Sequence, residues 1–263
     1  MKKKSVLLGI LLSVYACIPE EDLPIKNMGT VSGYFIECYC KPEETFSLSA
    51  IPVLPISGNL APDFSTEFDI SIRANELIKM EHVIFTLPGS DFIYNYGSEK
   101  KLAPGNDTLY LKIITPEKNQ ITAQTAVPEA IKIDSYQIKN NVASIHFSTS
   151  EDPTQNYYIY TLQLSANDSI FRKEVSYLNL SHYKSASTIT RRIVCSQIAE
   201  ADIAFISLMR ITKDCYNYQI SLNEANSANQ GSITTPVPLE GNIEGALGIF
   251  TCYTEDTKSI TLK

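Results

Sequence analysis

Apolar residues recur at every second position along much of this chain, and that period restricts it to half-buried β-strands. Successive side chains of a strand point to opposite faces, so alternation marks one buried and one solvated face. Tyr34, Ile36, Cys38 and Cys40 follow it, as do Phe68, Ile70 and Ile72, and then Val83, Phe85 and Leu87. The clearest hairpin has Leu109, Leu111 and Ile113 on one arm and Ile121, Ala123, Thr125 and Val127 on the other. Between them, Pro116, Glu117, Lys118 and Asn119 form the turn. Strand–turn–strand units over about 100 residues fit an immunoglobulin-like sandwich, although the chain has no tryptophan and therefore no Cys–Trp–Cys signature.

Pro128 ends that hairpin and suggests a boundary. Beyond it the sequence predicts a strand opening at 131–135 and a hairpin turning at Asn140-Asn141. Strands are also predicted at 157–164, 169–175, 189–194, 203–211, 247–254 and 259–262. One short helix is expected, capped by Thr212 or Asp214, with Cys215, Tyr218 and Leu222 on one face and a polar loop from 223 to 232. The expected fold is thus mainly β. An immunoglobulin-like β-sandwich occupies 30–128, and a second antiparallel β domain with one short helix occupies 129–263.

The first sixteen residues are of a different kind. Lys2, Lys3 and Lys4 precede an apolar run, Val6 to Leu12, that is too short to cross a bilayer. Val14-Tyr15-Ala16-Cys17 resembles a bacterial lipobox, which makes residues 1–16 a lipoprotein signal peptide and Cys17 the lipidated residue. Residues 17–29, acidic and proline-bounded, read as a tether. The chain has 22 basic and 29 acidic side chains; Lys2, Lys3 and Lys4 leave with the signal, so the mature protein carries about −10. Such a balance excludes the basic footprint that nucleic acid requires.

Six cysteines include Cys17, so Cys38, Cys40, Cys195, Cys215 and Cys252 remain. An odd number in an exported protein leaves at least one thiol free or paired between molecules, and buried small hydrophobes are the expected role for most of them. His82, His146 and His182 are too scattered for a metal set, and no metal or cofactor is expected. There is no Gly-x-Ser-x-Gly elbow and no His-Glu-x-x-His pair, so no catalytic residue is nominated and the chain is read as non-enzymatic. Among 15 tyrosines, Tyr157, Tyr158 and Tyr160, and Tyr94 with Tyr96, could serve a binding surface or sheet packing.

Several motifs carry a resemblance: Lys213 to Tyr218, Thr235-Pro236-Val237-Pro238, Gly241 to Phe250, Ala123 to Pro128, and Ile133-Asp134-Ser135. Together they resemble the Bacteroidetes lipoproteins of the domain-of-unknown-function 4249 family. The resemblance implies an outer-membrane, cell-surface lipoprotein accessory to a TonB-dependent nutrient-uptake complex. The alternative is a structural or adhesive surface protein that binds a host or matrix ligand. Glu20, Glu21 and Asp22 resemble the family's surface-export signal, and an ordinary solvated tether is the competing reading. Asp107-Thr108-Leu109 and Asp168-Ser169-Ile170 resemble O-glycosylation sequons, with Thr108 and Ser169 as acceptors. The Gly-rich signature, with Asn242, Gly245, Gly248 and Phe250, is expected to be structural. Gly245 and Gly248 would supply positive φ or close backbone approach in the C-terminal domain. It is not a phosphate loop, because it precedes a strand and lacks the Gly-Lys-Ser/Thr ending.

Overall fold

A computed structural model describes residues 33–53, 61–87, 92–105, 107–229 and 237–263. The first strands are β1 (Tyr34–Cys40), β2 (Thr45–Pro52), β3 (Asp69–Arg73), β4 (Leu77–Lys79) and β5 (Glu81–Thr86). They are followed by β6 (Ile93–Lys101), β7 (Thr108–Ile114), β8 (Gln120–Ala126), β9 (Ser135–Lys139) and β10 (Val142–Ser148). The second half contributes β11 (Tyr157–Ala166), β12 (Ser169–Asn179), β13 (Thr188–Val194) and β14 (Ile203–Ile211). Helix α1 (Lys213–Asn229) and strands β15 (Ile243–Glu244) and β16 (Leu247–Thr261) complete the order.

An eight-stranded sheet, β12-β11-β14-β16-β1-β2-β6-β5, forms the common floor of two sandwiches. A five-stranded sheet, β15-β8-β7-β3-β4, contributes to one core with β1 and β2, burying Ile36, Leu48, Ile70, Ile72, Leu111 and Ile113. A three-stranded sheet, β13-β10-β9, contributes to the other with β11 and β14, burying Ile145, Phe147, Tyr158, Leu162, Ile206 and Leu208. Strands β3, β7, β8, β10 and β13 follow from alternation that gives each one apolar face to bury. The alternation at Val83, Phe85 and Leu87 marks no buried face, Val83 and Leu87 being exposed. Asn140 and Asn141 (φ 50° and 60°) and Asn167 and Asp168 (φ 51° and 60°) close two-residue hairpins, as asparagine and aspartate tolerate the left-handed region.

Strand β16 joins the halves. Leu247 to Cys252 pair in parallel with β1, while Tyr253 to Thr261 pair antiparallel with β14. Phe250 and Cys252 accordingly lie in the first core, although in sequence they follow the whole second half. The segment between the sandwiches is fixed rather than loose. The Arg210 Nη1 donates to Glu129 O (3.3 Å), Ala130 O (3.2 Å) and Glu129 Oε2 (3.1 Å). Thr254 Oγ1 donates to Glu129 O at 2.7 Å, and Ile133 N donates to Asp256 Oδ2 at 2.8 Å. Residues Ser32–Lys263 thereby form one compact unit.

Four local expectations are corrected. The strand expected to open at 131–135 starts only at Ser135, as β9, and residues 131–134 belong to no strand. The helix is not short: it spans 17 residues and takes in 223–229, where a loop was predicted from the polar composition. Its start agrees with a Thr212 cap, whose Oγ1 accepts from Cys215 N at 3.1 Å. The two predicted strands at 247–254 and 259–262 are one 15-residue strand. The polar residues between them have partners on the sheet, with Glu255 accepting from Ser207 and Asp256 paired with Lys258. Strand β2, with Phe46, Leu48 and Ala50 in the core, was not predicted at all.

All five described cysteines are buried and free, with the Sγ atoms of Cys38 and Cys40 3.7 Å apart. Burial pushes the thiols of Cys215 and Cys252 up to about 12, so they stay protonated and unreactive at neutral pH. Tyr158 and Tyr160 are fully buried and Tyr157 nearly so, which assigns that tyrosine run to packing.

Candidate functional site

The solvent face of the five-stranded sheet carries a groove of about 720 Å³. Its floor follows from strand register. Leu77, Arg73, Tyr110 and Gln124 lie in one row across β4, β3, β7 and β8. The next row is Lys79, Ser71, Lys112, Thr122 and Glu244, the last from β15. The inward residues of the same strands, Ile70, Ile72, Leu109, Leu111 and Ile113, are buried in the first core. Rigid packing below therefore holds the outward side chains at fixed spacing, about 4.8 Å from strand to strand. Leu77 and Tyr110 are exposed at 59% and 40%. The Arg73 guanidinium lies over the Tyr110 ring, 4.5 Å from its centroid. At the far wall, Glu244 Oε2 accepts from Thr122 Oγ1 at 3.2 Å, and Asp214 enters from the first turn of α1.

Asn242, one of the signature residues, builds that wall. Its Nδ2 donates to Gln124 O (3.0 Å) and Phe250 O (2.8 Å), and its Oδ1 accepts from Phe250 N (2.9 Å). The side chain thus acts as a piece of strand, tying β8 to β16. Gly245 has φ +87° and Gly248 φ +113°. A Cβ on Gly248 would lie 1.9 Å from Ile36 O, and one on Gly241 would lie 1.9 Å from Gly248 O. The signature is a stack of close backbone approaches beside the groove, in which Gly241 takes part as fully as Gly248.

Other nominated residues lie elsewhere. Cys17, Glu20, Glu21 and Asp22 are outside the described residues. Thr108 is half-buried at the start of β7, whereas Ser169 is exposed just beyond the Asn167–Asp168 turn, so the two are not brought together. Arg73, Tyr110, Lys112 and Glu244 were not nominated from sequence. The available signal was Tyr110, an aromatic on the polar side of a hairpin whose alternation was already legible.

A second polar cluster lies under α1. Glu37 on β1 is 7% exposed, and its Oε1 accepts from Tyr218 Oη (2.7 Å) and Tyr39 Oη (3.4 Å). Gln219 extends the chain, donating to Tyr39 Oη at 3.1 Å and accepting from Tyr177 Oη at 3.3 Å. Burial raises the Glu37 carboxyl above its ordinary value, against the lowering effect of the two tyrosine bonds. Burial first, and the Glu37 charge second, also raise Tyr39 and Tyr218, which remain protonated donors. The cluster is closed by the helix and latches it to the sheet.

A carboxyl with a raised folded pKa favours the fold most fully below its unfolded pKa, and that contribution is lost as pH rises through the folded value. Glu37→Gln keeps an acceptor for Tyr218 and removes the desolvated charge. The variant is expected to melt higher than wild type at neutral pH, with the gap closing toward about pH 4. Thermal melts across that range check it; a pH-independent gap would show that the charge is not the cause.

Among the described residues no group of three or more His, Cys, Asp or Glu side chains is placed to hold a metal ion. No curated protein matches the chain. A family model described as Domain of unknown function (DUF4249) matches residues 64–259, a span from just before β3 to near the end of β16 that includes every strand of the groove. The chain belongs to the DUF4249 family.

Proposed function

We propose that this protein is a non-enzymatic bacterial lipoprotein, anchored to the outer membrane through Cys17 and facing the cell exterior. There it serves as an accessory binding component of a TonB-dependent nutrient-uptake complex, with the groove of the five-stranded sheet as its ligand face. The observation that carries the binding role is the Arg73–Tyr110 pair set in an open groove. An exposed aromatic and polar side chains converge there on a frame that packing keeps rigid. The lipoprotein assignment is supported by the lipobox-like Val14-Tyr15-Ala16-Cys17 and by the resemblance of this chain's motifs to Bacteroidetes lipoproteins. The first sandwich is read as immunoglobulin-like, a reading supported by two sheets that contribute to one core.

Anchoring has a direct test. The acidic body is repelled by anionic lipid, and each buried methylene of an acyl chain contributes about 0.8 kcal/mol. Cys17→Ala is therefore expected to move the protein from the membrane pellet to the soluble fraction. Retention in the pellet after a high-salt wash would refute the lipid anchor. Affinity purification of the wild type from native outer membranes tests the partner. Recovery of a transporter supports the uptake role, and recovery of a host or matrix ligand alone supports the adhesive alternative.

A further inference from the structure

We propose that the groove binds an acidic saccharide, its carboxylate or sulfate held by Arg73 and Lys112 and its ring laid against Tyr110. This rests on the groove being the ligand face and adds the chemistry of the ligand. The first argument is charge. The chain carries a net −7, yet Arg73, Lys79 and Lys112 project from three strands of one face. Among the described residues none of the three has an ion-pair partner, whereas Lys41, Lys100 and Lys258 each have a carboxylate. Register places Lys112 beside Ser71 and diagonal to Arg73, so both cations border the same part of the floor. Of the three, Arg73 and Lys112 line the groove on its β3–β7 side and form a seat for an anion there, while its carboxylates, Asp214 and Glu244, lie on the other side.

The second argument is orientation. A guanidinium stacked on a ring keeps the edge of its planar fork free, and that edge matches a carboxylate or sulfate in two parallel hydrogen bonds. Tyr110 is the row neighbour of Arg73 on one side and Gln124 on the other, so cation, ring and amide follow one another across the sheet. Beyond them, Thr122, Glu244 and Asp214 line the far wall. Acidic groups there repel an anion but accept hydrogen bonds from hydroxyls. A ligand with its charge toward β3 and β7 and neutral hydroxyls toward β8 and β15 satisfies both ends. The groove is also far larger than a single inorganic anion requires. The strands under the face spend their backbone groups on one another, so side chains do the recognising.

The test presents the detergent-purified full chain to an array of neutral, uronate-bearing, sialylated and sulfated glycans. Acidic peptides and vesicles containing anionic lipid run in parallel. Titration calorimetry then compares the best acidic glycan with its carboxyl-reduced or desulfated form. Binding confined to acidic glycans is expected, with at least about tenfold loss on removing the charge and further weakening with added salt. The Arg73→Ala/Lys112→Ala double variant and Tyr110→Ala should each lose about tenfold or more while melting like wild type, since all three side chains project from the solvent face. No binding to any acidic glycan, equal binding of the neutral form, or a preference for acidic peptide or lipid vesicles overturns the proposal. So does binding that both variants retain. None of these outcomes touches the anchor, which stands or falls on the Cys17→Ala fractionation.

Discussion

Gly248→Ala is expected to cost roughly 3 to 5 kcal/mol of stability, because an unfavourable backbone conformation and a steric overlap coincide there. The φ of +113° lies where L side chains rarely go, and the added Cβ would lie 1.9 Å from Ile36 O and 2.9 Å from Ile36 N. Those are backbone atoms of the paired strand, so no side-chain rotation relieves the contact. Gly245→Ala is the internal control. Its φ of +87° is also unfavourable, but nothing approaches its Cβ nearer than 3.5 Å. It should cost only about 1 to 2 kcal/mol. For a protein of this size the first variant should melt about 10 °C below wild type. The damage should not stay in the second half, as the sequence led one to expect, because Gly248 pairs with Ile36 in the first sandwich. A Gly248→Ala protein that melts with Gly245→Ala would show that β16 shifts to absorb the Cβ.

Arg210→Met is expected to loosen the joint between the sandwiches. The residue is buried, lies over the Tyr158 ring at 5.6 Å, and donates to two backbone carbonyls of the connecting segment. Methionine keeps apolar bulk over the ring and removes every donor. The Glu129 carboxylate is more than half exposed, so its lost ion pair contributes little. The Ala130 carbonyl loses its donor, while Thr254 still serves Glu129 O. A loss of about 1 to 3 kcal/mol follows from the unpaired carbonyl and the missing charge-assisted bonds. The offset is that Arg210 Nε has no hydrogen-bond partner among the described residues even in the wild type. Hydrogen exchange should rise across 129–133 before it rises in either core. Unchanged protection there would mean that Thr254 and Asp256 alone fix the segment.

Alternation by itself determined that the chain is mainly β, and it placed β7 with β8, β11, β13 and β14 close to where they lie. That signal is local: a strand with one buried face must alternate, whatever it pairs with. The Asn140-Asn141 turn and the cap at Thr212, one of the two residues the sequence offers for it, were legible for the same reason, since their geometry is set within a few residues. Glycine in the signature announced unusual backbone, but not its cause. Only the parallel pairing with β1, 212 residues away at Ile36 and Gly248, brings the Ile36 carbonyl against position 248. Strand β2 carries the same local signal, Phe46, Leu48 and Ala50 alternating with Ser47 and Ser49, and only the fold shows that both serines are buried too. The groove was illegible for a related reason. Arg73, Tyr110, Lys112 and Glu244 each look like an ordinary outward residue, and they become neighbours only when β3, β7, β8 and β15 take their places in one sheet. Sequence period decides which side of a strand faces water; strand order and register, fixed by burying two cores against one shared sheet, decide which outward side chains meet.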